Sequence, residues 1–118
     1  MNKVVLLGRM VRDPESRVTD KGLNICMYSL AVQRKNKNRD ADFFNCVAFG
    51  KGAEFVEKWF KKGDKIAIVG HLQTSVYESE GRMIYRTEIV SEEHDFCESK
   101  KPETSFDYAT GEEDDFPF

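Results

Sequence analysis

Four cations, Arg34, Lys35, Lys37 and Arg39, crowd one short segment that leads into Phe43, Phe44 and Phe49, and Lys51 follows at once. Further along, Tyr77, Tyr85 and Arg86 repeat the mixture. Phosphates need cations and unstacked bases need flat partners, so interleaved basic and aromatic residues suit single-stranded nucleic acid. Alternation along 42–49 puts Phe43, Asn45, Val47 and Phe49 on one face and Phe44, Cys46 and Ala48 on the other. The second set is small and apolar, as a core requires, which leaves Phe43 and Phe49 as stacking platforms. Phe44 reads more plainly as core, and for Phe49 alone both positions stay open. Trp59 lies in a helical pattern, where packing outweighs stacking. The 34–39 run has its own plain alternative, a solvated loop.

Catalysis has little to work with. A Ser–His or Cys–His pair needs a histidine in a structured segment, and only His71, in a strand beside Gly70, qualifies. The acids of residues 1–90 sit in turns, polar loops and a helix face rather than converging on a metal pair. No GxxxxGK[ST] phosphate loop occurs. Cys26, Cys46 and Cys97 form no CxxC pair, and neither His71 nor His94 has ligand spacing to them, so no metal or other cofactor is expected. Cys26 and Cys46 lie in apolar runs and read as small buried hydrophobes. A non-enzyme in a reducing compartment fits.

The elements that must position these residues are mostly strands. Lys3–Arg9 is aliphatic, with Gly8 marking a bulge or close approach, and Asp13-Pro14 is a turn. Leu23–Val32 is apolar on both faces, as in a curved sheet or barrel, and Asp42–Phe49 is a third strand. Gly50-Lys-Gly52 breaks it. Ala53, Val56 and Phe60 then recur at helical spacing with Trp59 alongside, and Lys61-Lys62-Gly63 is the stop. Lys65–Leu72, continued toward Tyr77, is a fourth strand, Ser79-Glu-Gly81 a hairpin turn, and Met83–Val90 a fifth strand. Five strands with one helix between the third and fourth is the layout of the OB-fold barrel. An edge as apolar as Val4–Leu7 invites pairing with a second copy of the chain.

Charge divides the 118 residues in two. Residues 1–90 carry 16 Lys/Arg against 11 Asp/Glu, a net +5, and residues 91–118 carry 2 against 10, a net −8. A basic body suits a polyanion, and an acidic end suits a separate task. From Ser99 to Gly111 the composition cannot bury enough surface to fold, and the sequence closes on Glu112-Glu-Asp-Asp-Phe-Pro-Phe118. The expected organisation is a domain over 1–96, a disordered linker over 97–111 and an acidic tip over 112–118. No apolar run nears the ~20 residues of a membrane span, and no secretory pattern opens the chain, so a cytoplasmic protein without a membrane partner is expected.

These motifs together resemble bacterial and phage single-stranded DNA-binding proteins. The resemblance rests on Asn2–Arg9 with Asp13-Pro14-Glu15, Ser29–Val32, Asp42–Glu54, Lys61–Thr74, Tyr85–Val90 and the DDFPF ending, in matching order over nearly the whole chain. It implies a sequence-independent binder of single-stranded DNA acting in replication, recombination and repair, usually a homotetramer of OB-folds. Its stacking aromatics correspond to Phe43, Phe49 and Tyr77 and its basic contacts to Lys51 and Lys62. A further stacking position falls near Asn36, with Lys35 and Lys37 beside it. Gln73 and Ser75 stand where some members carry arginines. Arg34, Lys35, Lys37, Phe43, Asn45, Phe49, Lys51, Lys62, Tyr77, Tyr85 and Arg86 make up the expected DNA-binding set. Asp114, Asp115, Phe116, Pro117 and Phe118 would dock replication, recombination and repair enzymes in a basic, apolar pocket. An RNA-binding or replication-restart OB module is one alternative reading, and a protein-binding scaffold another.

Overall fold

A computed structural model describes residues 1–36, 38 and 40–97. Lys37 and Arg39, the linker beyond Cys97 and the tip residues Asp114–Phe118 lie outside the described residues. The elements are β1 (Val4–Met10), β2 (Glu15–Val18), β3 (Asn24–Gln33), β4 (Ala41–Phe49), α1 (Lys51–Trp59), β5 (Lys65–Ser79) and β6 (Arg82–Phe96). Among the described residues the protein is mostly β with one helix between β4 and β5, as the periodicity predicts.

Hydrogen-bonded neighbours run β1-β5-β6-β4-β3-β2, and β1 also pairs with β3, so five strands form a closed circuit with β2 outside it. Inward residues of that circuit make the core. Met10, Cys26, Tyr28, Leu30, Cys46, Ala48, Ile66, Ile68 and Ile89 are buried with Ala53, Val56 and Phe60 from the helix segment, and Phe44 packs against them. The core positions expected for Cys26, Cys46 and Phe44 are therefore found. Burial pushes the Cys46 thiol up to about 12, which keeps it protonated and unreactive.

Gly8 makes the close approach its type suggests: a Cβ there would stand 2.8 Å from the Ala31 carbonyl oxygen, where β1 meets β3. Gly50, at φ 64, caps the helix, which starts at Lys51 rather than Ala53. Glu80 and Gly81 both have positive φ, so the β5–β6 hairpin closes on the two-residue primed turn that fits strand twist.

Two differences from the expected elements have physical causes. β2 has four exposed residues and no apolar periodicity; it exists because Glu15–Val18 hydrogen-bonds along β3. β6 does not stop at Val90 but continues to Phe96. The run from Ser91 to Asp95 is polar, yet its inward members are satisfied. Tyr28 Oη donates to Ser91 Oγ at 2.6 Å, and Ser91 Oγ donates to the Val47 carbonyl at 3.3 Å. The hydroxyl's one proton is thus used, so His94 Nε2, 2.8 Å away, must be the donor to Ser91. Burial lowers the pKa of His94, in keeping with a neutral ring. Phe96 then stacks on Phe60, with centroids 5.0 Å apart, and meets Trp59 edge-on. Trp59 packs through that contact while remaining partly exposed.

A bulge at Glu92, between the Val69–Glu93 and Gly70–Ser91 pairs, lets β6 make this long run. Gly70 is what makes the bulge fit, since a Cβ there would fall 2.1 Å from the Val90 carbonyl oxygen. Backbone would have to move, so Gly70→Ala is expected to cost about 3 kcal/mol, the upper end of ordinary overpacking. A thermal melt followed by circular dichroism should show a fall of more than about 10 °C. An unchanged midpoint would mean that β5 and β6 do not meet in this register.

Candidate nucleic-acid interface

β4 positions the first part of the site by strand parity. Phe43, Asn45 and Phe49 are exposed on its outer face, with Phe43 at 65% and Phe49 at 41% exposure. Solvent access thus resolves the question left open for Phe49. Val47 shares their parity but is buried, because the parallel β4–β6 register sets it beside Val90. Asn45 is held in place by Ser29 Oγ, which donates to its Oδ1 at 3.2 Å. Lys51 opens α1 two residues past Phe49 and is exposed.

The β5–β6 hairpin supplies the second part. Ser75 opposes Arg86 and Tyr77 opposes Ile84, which sets Tyr77 and Arg86 diagonally on one face. The Arg86 guanidinium lies 5.6 Å from the Tyr77 ring centre, a cation–π contact that holds the phenol flat and keeps a charge beside it. Tyr85 opposes Val76 and so lies on the other face of the hairpin. Tyr85 is thus not brought together with Tyr77, although it is 75% exposed.

The cations divide by partner. Arg34 grips Asp42 through Nε at 3.1 Å and Nη2 at 2.8 Å, and this bond holds the Asp42 carboxyl below its usual range. Arg34 therefore shares its charge with an acid at the start of β4. Lys35 is exposed in the loop, and Lys62 is exposed in the α1–β5 turn with its backbone N–H bonded to Asp13 Oδ1 at 2.8 Å. Of the basic loop, Lys37 and Arg39 lie outside the described residues.

Cross-strand register adds two cations that strand-by-strand reading misses. Arg9 opposes Ala31, and Ala31 opposes Phe43. Arg17 opposes Ile25, and Ile25 opposes Phe49. Only non-local pairing places these arginines, so no sequence signal short of the full register would have found them.

Chemically the arrangement offers flat apolar faces and positive charge. His71 Nδ1 contacts Glu92, which Lys3 also meets at 3.3 Å, so its ring belongs to a polar cluster at the surface. Among the described residues no group of three His, Cys, Asp or Glu side chains could hold a metal ion. No helix among them is long and apolar enough to cross a membrane.

Residues 1–97 match the family model described as the single-strand binding protein family. The chain is 46% identical over 106 residues to a single-stranded DNA-binding protein of Fusobacterium nucleatum, covering 85% of this chain and 69% of that protein. It is 43% identical over 105 residues to single-stranded DNA-binding protein 1 of Staphylococcus aureus, covering 85% of this chain and 67% of the relative.

Proposed function

The chain belongs to the single-strand binding protein family, and from that premise we propose that it coats single-stranded DNA without reading its sequence. The observation that carries this reading is the exposure of Phe43 and Phe49 on one face of β4, with cations at both ends of that strand. Exposed phenyl rings cost solvation and offer bases a stacking surface; every base has such a face, so the contact tolerates any sequence. Lys35, Lys51, Lys62 and Arg86 supply the charge that phosphates require. The circuit of five strands is then an OB-fold barrel, and β4 with the hairpin is its binding surface.

We also propose that the chain works as a homotetramer in the cytoplasm of a bacterial or phage-infected cell. β1 pairs with β5 from Val4 to Arg9 but meets β3 only at Arg9 and Met10. Its other edge over Val4–Leu7 has no strand partner among the described residues, and Val5 is 73% exposed. A second copy laid against that edge would satisfy both deficits. The tip around Asp114–Phe118 would recruit enzymes of replication, recombination and repair to the coated strand.

Titrating labelled single-stranded DNA, duplex and RNA of equal length tests the reading by anisotropy, with light scattering for the mass. Single-stranded DNA should bind tightest. Preference for RNA would favour an RNA module instead, and absence of any nucleic-acid binding would leave a protein scaffold. Binding should weaken with salt, since each neutralised phosphate releases roughly 0.7 counterion from a single strand. Replacing Arg34, Lys35 and Lys37 with alanine should flatten the log–log slope by up to about 2 and weaken all sequences alike. A slope unchanged by the triple replacement would make the 34–39 loop a solvated one.

A further inference from the structure

The two exposed phenylalanines of β4 occupy matching positions in the sheet. Opposed residues of an antiparallel pair share a face. Phe43, Ala31, Arg9 and Lys65 therefore form one row across β4, β3, β1 and β5. Phe49, Ile25 and Arg17 form a second row across β4, β3 and β2. Each row has a phenyl ring, then one aliphatic residue, then an arginine. At about 4.8 Å per strand, each arginine lies about 10 Å from its aromatic. That gap suits a base on the ring and its backbone on the guanidinium.

Both arginines are exposed. Arg9 Nη1 donates to the Gly63 carbonyl at 2.8 Å, which draws the guanidinium toward the turn that carries Lys62. Ala31, between Phe43 and Arg9, carries only a methyl group and raises no wall across the row. In the second row Ile25 is half-buried and presents a low apolar step. Gln73 and Ser75 on β5 are themselves uncharged, and the charge on that face of the hairpin comes from Arg86, opposite Ser75.

We propose that Arg9 and Arg17 are phosphate-binding residues for single-stranded DNA, and that the strand crosses β3 twice: once from Phe43 over Ala31 to Arg9, and once from Phe49 over Ile25 to Arg17. From Arg9 the track continues to Lys65 in the same row and to Lys62 in the adjoining turn. This rests on the proposed single-stranded DNA binding and extends its footprint from β4 and the hairpin to β1 and β2.

Double-mutant cycles in the full-length protein test it, with a labelled oligothymidylate as the probe. Arg9→Gln keeps a donor for the Gly63 carbonyl while removing the charge, and Arg17→Gln lies on a strand that is exposed throughout, so both should melt like the parent. Each should weaken binding about 3- to 10-fold and lower the salt slope by about 0.7. Arg9→Lys should retain the slope. Coupling should follow the rows: Arg9→Gln non-additive with Phe43→Ala but additive with Phe49→Ala, and Arg17→Gln the reverse, each coupling about 3-fold or more. Parent-like slope and affinity in both glutamine variants would overturn the proposal, as would coupling that ignores the rows. A parent protein that binds no single-stranded DNA would instead overturn the functional reading on which this rests.

Discussion

Phe43→Ala and Phe49→Ala are each expected to weaken single-stranded DNA binding by about 1–3 kcal/mol, or roughly 5- to 150-fold. Combined, they should leave little but salt-sensitive electrostatic binding. The two rings do not have equal structural roles. Phe43, the more exposed, opposes Ala31, so its truncation removes a platform and little packing. Phe49 opposes Ile25 and adjoins the helix cap at Gly50, so its loss should also lower the melting temperature by a few degrees. The clean comparison is therefore Phe43→Ala against Phe43→Trp, measured by anisotropy at fixed salt. The larger indole should restore or exceed parent affinity, because stacking scales with ring area rather than with hydrogen bonding. Intrinsic tryptophan fluorescence is a poor substitute, since Trp59 sits at the helix end against Phe96 rather than in the row of platforms. Parent affinity in a normally melting Phe43→Ala protein would remove Phe43 from the site.

What the sequence made legible was parity, and what it hid was pairing. Within β4 the two-residue period separated the platforms Phe43 and Phe49 from the core residues Cys46 and Ala48, because that period is a local property of an extended chain. Val47 escaped the rule because its cover, Val90, arrives from β6 through a parallel contact that nothing near residue 47 announces. The end of β6 was hidden for a related reason. Ser91 and His94 look like surface residues until Tyr28 and the Val47 carbonyl are brought to them by other strands. Tyr85 is the instructive case, because a turn over Ser79-Glu-Gly81 was legible but its length was not. A two-residue turn fixes hairpin register, so Tyr77 must oppose Ile84 and Tyr85 must oppose Val76. A three-residue turn over 79–81 would have set the two tyrosines on one face, so it is the pairing of Ser79 with Arg82 that turns Tyr85 away from Tyr77. Arg9 and Arg17 differ again: each joins its aromatic only through two successive non-local registers.

Removing Asp114–Phe118 is expected to abolish partner recruitment while leaving DNA affinity unchanged or slightly higher. The sign follows from charge. Residues 1–90 carry +5 and residues 91–118 carry −8, so the acids of the tip repel the DNA that the body attracts. Within ~8–10 Å of the cations they would compete with phosphate, and at greater distance salt screens them. In neither case can they strengthen DNA binding. A polyanion partner therefore cannot explain Glu112–Asp115, whereas a basic, apolar pocket on another protein would take both the carboxylates and the rings of Phe116 and Phe118. Two substitutions separate these contributions. Phe116→Ala with Phe118→Ala keeps every charge and removes the apolar anchors; Asp114→Asn with Asp115→Asn keeps the anchors and removes two charges. If a pocket reads the tip, the first pair should lose nearly all capture of partner enzymes at any salt, and the second should lose capture more steeply as salt rises. The measurement is quantitative mass spectrometry of proteins retained from bacterial extract by the parent, the deletion and both pairs, with anisotropy on single-stranded DNA alongside. Equal retention by all four proteins would reduce the tip to a solubilising charge run. Loss with the aspartate pair alone would make it an electrostatic tether without an apolar pocket.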